Sequence, residues 1–294
     1  MGVQDLSKVH GLINDLFRRP VGKGGWDAFK LTKEQVDHYQ EYGFVSGIKL
    51  LEDDQIELLK NELAKLSDPG HPGNSLFYEF STNESTDPAK VLFHALGAWR
   101  ISPGFHDVLW NPRFLVPASQ LLKDKPVRFW HDQLFCKPAH HGGVVAWHQD
   151  YSYWVRSVPM QHLTCWCGLD DADPENGCLY YVPKSHRWGL LDKPMLAGDM
   201  DGLLPMLSED QKASFKPIPI PLKAGYATFH HPLLVHGSYD NTTNRQRRAF
   251  VINVFADGTQ SNADGSLLPG TPAFKKGAKL EGDFYPLLFD PGAI

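Results

Sequence analysis

His148 and Asp150 stand two residues apart in Trp147-His148-Gln149-Asp150. On an extended strand, residues two apart share a face. One imidazole and one carboxylate would then project toward a common point. A distant histidine, His236, would complete a set of two histidines and one carboxylate. That set leaves open positions on Fe(II) and is the donor arrangement of non-haem iron oxygenases. His230 and His231 are rivals to His236. The Gly237-Ser238 that follows His236, and Arg247 eleven residues after it, favour His236. His231 is then expected near the site, with His230 facing the other way. An isolated His-x-Asp is as easily a hydrogen-bonded surface pair, so the downstream residues carry the weight.

Arg247 belongs to a basic cluster with Arg245 and Arg248. The plain reading is a solvated turn after Asp240-Asn241-Thr242-Thr243-Asn244. Arg247, however, opens the apolar run Phe250-Val251-Ile252-Asn253-Val254-Phe255. A guanidinium that enters an apolar layer needs an anion. It can grip a carboxylate with two parallel N–H bonds.

The elements that must hold these residues are mostly short strands. The pattern predicts strands at 127–137, 144–150, 162–169, 178–182, 225–231 and 247–255. Asp173-Pro174-Glu175-Asn176-Gly177 reads as a hairpin cue. Many short strands with Gly- and Pro-rich turns argue a sandwich or a closed jelly roll. Before them, Thr32 with Gln35 reads as a capping box opening a helix that runs to Tyr42 and stops at Gly43. A second helix is expected at 53–66, where Ile56, Leu59, Leu63 and Leu66 keep helical spacing. Residues 188–215 interrupt the strand rhythm, with a short helix at 208–215. They read as a lid insertion over the barrel mouth, hinged near Gly198 to Gly202 and setting substrate choice.

Taken together, these blocks resemble the phytanoyl-CoA dioxygenase family of Fe(II)- and 2-oxoglutarate-dependent oxygenases. The residues that carry the likeness are His148, Asp150, Trp166, the run from Asn176 to His186, and His230 to Ser238 with Arg247. It covers about residues 32–256. One departure is Lys184, where the family has Gly in a P-G-S-H turn. The resemblance implies a mainly β fold, a double-stranded β-helix of jelly-roll or cupin-like type with N-terminal flanking helices. It implies an N-terminal extension at 1–31 and a single dioxygenase domain at 32–294, with a core at 126–256. It implies His148, Asp150 and His236 as metal ligands, and Arg247 and Ser238 on the distal carboxylate of 2-oxoglutarate. Trp166 and Gln133 fall at positions that line the cosubstrate pocket, although Trp166 also fits plain core. The implied activity uses Fe(II), 2-oxoglutarate and molecular oxygen to hydroxylate an unactivated C–H bond, releasing succinate and carbon dioxide. Related halogenases replace the metal carboxylate with a small residue, so Asp150 favours hydroxylation over halogenation. Desaturation, cyclisation and epoxidation stay open.

The whole chain sets outer bounds. A length of 294 residues suffices for one large domain. Apolar content of 42% and charged content of 21% are those of a water-borne globular protein. A net charge of −5 argues against a nucleic-acid or anionic-membrane partner, leaving a small-molecule substrate. No apolar run approaches the roughly 20 residues that span a bilayer. The four cysteines, Cys136, Cys165, Cys167 and Cys178, lack zinc-site spacing and read as free thiols in a reducing compartment, hence a cytoplasmic location. Tyr151, Tyr153, Trp154, Tyr226 and Phe229 suggest a partly aromatic substrate pocket. Two rival functions remain: an inactive metal-binding jelly-roll sensor or scaffold, and a zinc hydrolase. Neither has a need for Arg247.

Overall fold

The computed structural model describes residues 3–85, 87–196 and 199–294. Sixteen strands occur among them. They are β1 Phe44–Lys49, β2 Glu79–Ser81, β3 Phe93–Leu96, β4 Val127–Lys137, β5 Val145–His148, β6 Ser157–Val158, β7 His162–Gly168 and β8 Leu179–Tyr181. Then come β9 Ile218–Ile220, β10 Tyr226–His230, β11 His236–Ser238, β12 Arg247–Ala256, β13 Gln260–Ser261, β14 Gly265–Ser266, β15 Ala273–Phe274 and β16 Leu287–Phe289. Eight form a major antiparallel sheet in the order β1-β10-β7-β12-β4-β3-β2, with β16 also on β4. Four form a minor sheet, β5-β11-β8-β9. The two sheets make the jelly roll, and the candidate site lies between their inner faces.

The helices cover the back of the major sheet. Thr32 and Gln35 form the capping box reciprocally and start a helix at Lys33–Tyr42, which Gly43 ends at φ +88°. Asp53–Leu66 is helical, and Ile56, Leu59, Leu63 and Leu66 are its buried stripe. Helices at Pro103–Asp107 and Pro112–Leu121 complete the layer. The sequence pattern missed both: one is a single short turn, and the other carries a proline inside it, while nearly all their residues, polar ones included, are buried. Phe17, Trp26 and Leu31 are buried in this same core, and Trp26 packs on Phe289 at 5.0 Å. Residues 3–31 thus pack onto the domain, and the major sheet reaches beyond 126–256 through β1, β2, β3 and β16. No helix of the described residues is long and apolar enough to cross a membrane.

Two expectations need correction. The Asp173–Gly177 turn does not make a hairpin. It carries the chain from β7 in the major sheet to β8 in the minor one. The turn is tight because Asp173 Oδ1 accepts from Glu175 N and Asn176 N, while Gly177 takes φ +84°. Strand β5 ends at His148, and Asp150 has helical angles (φ −56°, ψ −43°) at the start of a one-turn helix, Tyr151–Trp154. Its meeting with His148 is therefore a turn effect and not strand alternation.

The described residues of 188–215 are packed against the minor sheet. Leu203 and Leu207 pack with Trp147, Val182 and Val235 on the outer face of the minor sheet. Ser208 caps a helix at Glu209–Ser214. The segment is fastened to the metal-facing strand itself: Ala146 N donates to Leu196 O (2.8 Å) and Trp147 N to Met200 O (3.2 Å). Gln149 Nε2 donates to Gly189 O and Leu233 O, and its Oε1 accepts from Leu191 N. Of the described residues of this stretch, Lys193 and Leu196 line the cavity. The suggested hinge begins at Gly198, which lies outside the described residues.

Candidate active site

His148 and His236 face each other directly across the β5–β11 pair, with ring centroids 4.1 Å apart. Each ring is set the same way. His148 Nδ1 bonds Ala146 O at 2.8 Å and His236 Nδ1 bonds Leu234 O at 2.9 Å. A carbonyl only accepts, so both Nδ1 atoms carry the proton and both Nε2 atoms present a lone pair inward. Asp150 Oδ1 lies 3.4 Å from His148 Nε2 and 3.6 Å from His236 Nε2. One donor atom from each residue falls within 4.8 Å of the other two, which suits a single ion. Among the described residues this is the one such cluster. Burial, and then the proximity of His148, hold His236 well below the usual histidine range, so it stays neutral as a ligand must. Gly237 follows because a Cβ there would come within 2.8 Å of Val145 O.

The second oxygen of Asp150 is held by other groups. Thr164 Oγ1 donates to Oδ2 at 2.6 Å, and His230 Nε2 lies 3.0 Å from it. Tyr181 OH reaches His230 Nδ1 at 2.9 Å. Burial alone would raise the Asp150 carboxyl, but His236, His148 and His230 outweigh it and hold it well below the usual carboxylate range. His230 therefore faces the site. The expectation that it points away fails because β10 turns Thr228 and His230 inward and Phe229 into the core. His231 sits off this set, next to His186 at 5.2 Å.

The floor of the cavity is the inner face of the major sheet, and its register explains which residues meet. One cross-strand row runs Glu79, Leu96, Gln133, Val251, Trp166. A second runs His131, Asn253, Thr164, His230. Gln133 and Trp166 both line the cavity. So do Tyr153 and Trp154, whereas Tyr151, Tyr226 and Phe229 are packed elsewhere. Cys165 and Cys167 point to the opposite face of β7, into the core.

The far end of the cavity carries the arginine cluster, and the three side chains differ. Arg248 is paired with Asp170 by two bonds of 2.8 Å, and Arg245 with Asp173 at 2.7 Å. Arg247 is 2% exposed and lines the cavity, yet no carboxylate pairs with it among the described residues. Its Nη2 donates to Gly177 O at 2.8 Å, its Nε has no partner, and the guanidinium lies 5.4 Å from the Trp166 ring centre. Burial lowers it to about 10, still charged at neutral pH.

Directly opposite Arg247 in the β12–β4 register stands Lys137, fully buried. The sequence reading missed it, because a lysine at a strand end reads as solvated. Lys137 Nζ donates to Ser238 Oγ at 2.8 Å and to Tyr239 O at 2.5 Å. Burial and then the Arg247 charge push it well below its ordinary range. Like charges opposite each other on adjacent strands destabilise a sheet. Lys137 is satisfied by the Ser238 and Tyr239 oxygens, which leaves Arg247, beside Ser238 in the cavity wall, as the group that lacks an anion. Two buried donor groups and an orphaned Nε are what a carboxylate of 2-oxoglutarate would require.

Comparison with known proteins agrees with this geometry. The sequence profile of the family described as Phytanoyl-CoA dioxygenase (PhyH) matches residues 39–249. The chain is 28% identical over 284 residues to the Bos taurus protein named phytanoyl-CoA dioxygenase domain-containing protein 1, covering 81% of this chain and 95% of that one. It is 26% identical to methylphosphonate hydroxylase of Gimesia maris, covering 78% and 83%. The structure superposes on the non-heme alpha ketoglutarate dependent carbocyclase SnoK with a TM-score of 0.72 at 20% identity, covering 92% of this chain and all of that one.

Proposed function

This chain belongs to the phytanoyl-CoA dioxygenase family of Fe(II)- and 2-oxoglutarate-dependent oxygenases, and on that premise we propose that it hydroxylates an unactivated C–H bond of a small molecule. The iron and 2-oxoglutarate are those of the family. We assign His148, Asp150 and His236 as the iron ligands, and Arg247, Ser238, Trp166 and Gln133 to the cosubstrate pocket. The balanced reaction takes substrate, dioxygen and 2-oxoglutarate to hydroxylated substrate, succinate and carbon dioxide. Bound iron supplies the activation of dioxygen. The protein supplies position. Nε2 of His148, Nε2 of His236 and Oδ1 of Asp150 would hold the iron as a set of two histidines and one carboxylate. Thr164 and His230 fix Oδ2, so the carboxylate turns one oxygen inward. Arg247 anchors the distal carboxylate, and that aims the keto-acid end at the ion.

The observation that carries this reading is a single cavity of about 310 Å³ with a three-donor metal set at one end and an unpaired buried guanidinium at the other. An inactive sensor has no use for the second feature. The hydroxylase among the relatives supports the reaction type. Succinate release that needs Fe(II), 2-oxoglutarate and oxygen tests the oxygenase. The product mass then tests the outcome: gain of one oxygen atom marks hydroxylation, and loss of two hydrogens marks cyclisation or desaturation. Failure to form any succinate with iron bound overturns the proposal. Four free cysteines support a reducing, cytoplasmic location.

A further inference from the structure

The family's name points to a CoA thioester, but the cavity is built differently. Its volume of about 310 Å³ lies at the bottom of the roughly 300–1,000 Å³ range for sites holding one ligand. It must hold 2-oxoglutarate as well as substrate. Carboxylates of Glu79 and Glu84 line it at the β2 side. They would repel the phosphates of CoA. The lone basic side chain lining it outside the Arg247 end, among the described residues, is the exposed Lys193, which lies over the Tyr153 ring at 4.3 Å.

Two features there are built rather than incidental. The first is a relay. Glu84 Oε2 meets His94 Nδ1 at 2.5 Å, and His94 Nε2 meets the Gln133 side chain at 3.2 Å. The His94 ring is stacked on Phe135, 4.5 Å between centres and 19° between planes. His94 is buried. Glu84 is also fixed through its backbone, which donates to Leu92 O at 2.9 Å. One carboxylate oxygen is thus pinned and the other is left to accept from a ligand. Burial would raise the Glu84 carboxyl, but His94 more than offsets it, so the group is ionised.

The second feature is a β-bulge. The β12–β4 register passes from Asn253 opposite His131 to Val254 opposite Phe129, and Trp130 has no partner. Bulges re-aim a side chain next to functional sites. Here Trp130 and His131 both line the cavity. Trp130 is 3% exposed and its Nε1–H has no acceptor among the described residues. Leaving a buried donor unpaired costs about 1–3 kcal/mol. The bulge is explained if a ligand supplies an acceptor oxygen.

Resting on the oxygenase reading above, we propose that the substrate is a small free molecule, amino-acid-like, whose ammonium group binds Glu84 and whose acceptor oxygen takes the Trp130 N–H. Trp154 lines the same cavity and offers an aromatic face, which suits a cation, as the Tyr153 face already does for Lys193. A CoA thioester is not the substrate.

The test uses the full chain loaded with Fe(II). Succinate is measured with a panel of free amino acids and diamines, their N-acetylated counterparts, and acyl-CoA esters. Free amines should stimulate succinate formation, N-acetylation should weaken the response at least tenfold, and acyl-CoA esters should be inert. With the best amine, Glu84→Gln and Trp130→Phe should each raise its KM at least tenfold and leave the 2-oxoglutarate KM unchanged. Calorimetric titration of the same amine into wild type and Glu84→Gln reads binding without turnover. Stimulation by acyl-CoA or N-acetylated compounds, no response to any free amine, or unchanged KM and binding in Glu84→Gln would each overturn the proposal. The oxygenase reading is judged separately, by the slow succinate formation that occurs without substrate. Its presence with unresponsive amines sinks only the substrate class. Its absence with amine binding intact sinks only the oxygenase.

Discussion

The two ends of the cavity treat buried charge in opposite ways. At the metal end the three candidate ligands are held by hydrogen bonds behind them. Both histidines are pinned through Nδ1, and Asp150 Oδ2 takes bonds from Thr164 and His230. At the other end Arg247 and Lys137 face each other across a strand pair with no carboxylate in reach among the described residues. The first end is preorganised to receive a cation from solution. The second end is incomplete until an anion arrives. The difference teaches where binding energy enters: iron meets a ready geometry, and the cosubstrate meets a buried guanidinium that has no carboxylate partner among the described residues.

The largest effect should come from the metal end. Asp150→Ala should abolish turnover and drop iron occupancy by more than the ~100-fold upper range for losing an outer-shell partner. Iron content by metal analysis and succinate assay check this. Retained iron with full activity would break the comparison at its first half.

Next in size is the anion end. Arg247→Ala should weaken 2-oxoglutarate by about 2–5 kcal/mol and leave iron binding intact. Titration of 2-oxoglutarate under anaerobic conditions measures it. Arg245→Ala, whose side chain is already paired outside with Asp173, should change nothing there. Equal losses in both would mean that the cluster acts as a diffuse field.

Thr164→Val sharpens the metal half. It keeps volume but removes one bond to Asp150 Oδ2, so iron affinity should fall by roughly 10–100-fold with 2-oxoglutarate affinity per iron-loaded site unchanged. An unaltered iron affinity would assign the whole orienting role to His230.

The smallest effect lies outside both ends. Lys184 sits at φ +69°, a conformation that costs a residue with a Cβ about 1–2 kcal/mol. Lys184→Gly should be more stable than Lys184→Ala by roughly 1 kcal/mol in denaturant unfolding, with kcat unmoved. This would show that the departure from the P-G-S-H turn affects loop shape alone.

Local rules made much of this architecture legible. The Thr32–Gln35 capping box and the 53–66 helix follow from side chains that act within one turn. Strand β4 was readable end to end because its pattern is long. What escaped notice depends on register. His230, Thr164 and Lys137 gain their meaning from the strands beside them, and sequence spacing carries no trace of that. Trp130 escaped because a one-residue bulge reverses a face without altering composition. Asp150 joined His148 through a helical turn, so strand alternation reached the pair by the wrong route.

Gln149 has a consequence at the protein's surface. Its amide holds Gly189 O and Leu191 N, while its own backbone joins His148 to Asp150. Between those two contacts Leu190 is half exposed to solvent and takes no part in lining the cavity. Gln149 is thus one of the fastenings between surface and interior, and the one that lies between the two ligands. A strain applied at Leu190, whether by substitution or by a crowding neighbour, has a route to the backbone between the two ligands through these hydrogen bonds. The exterior of residues 189–191 is in this sense a tuning screw for the metal.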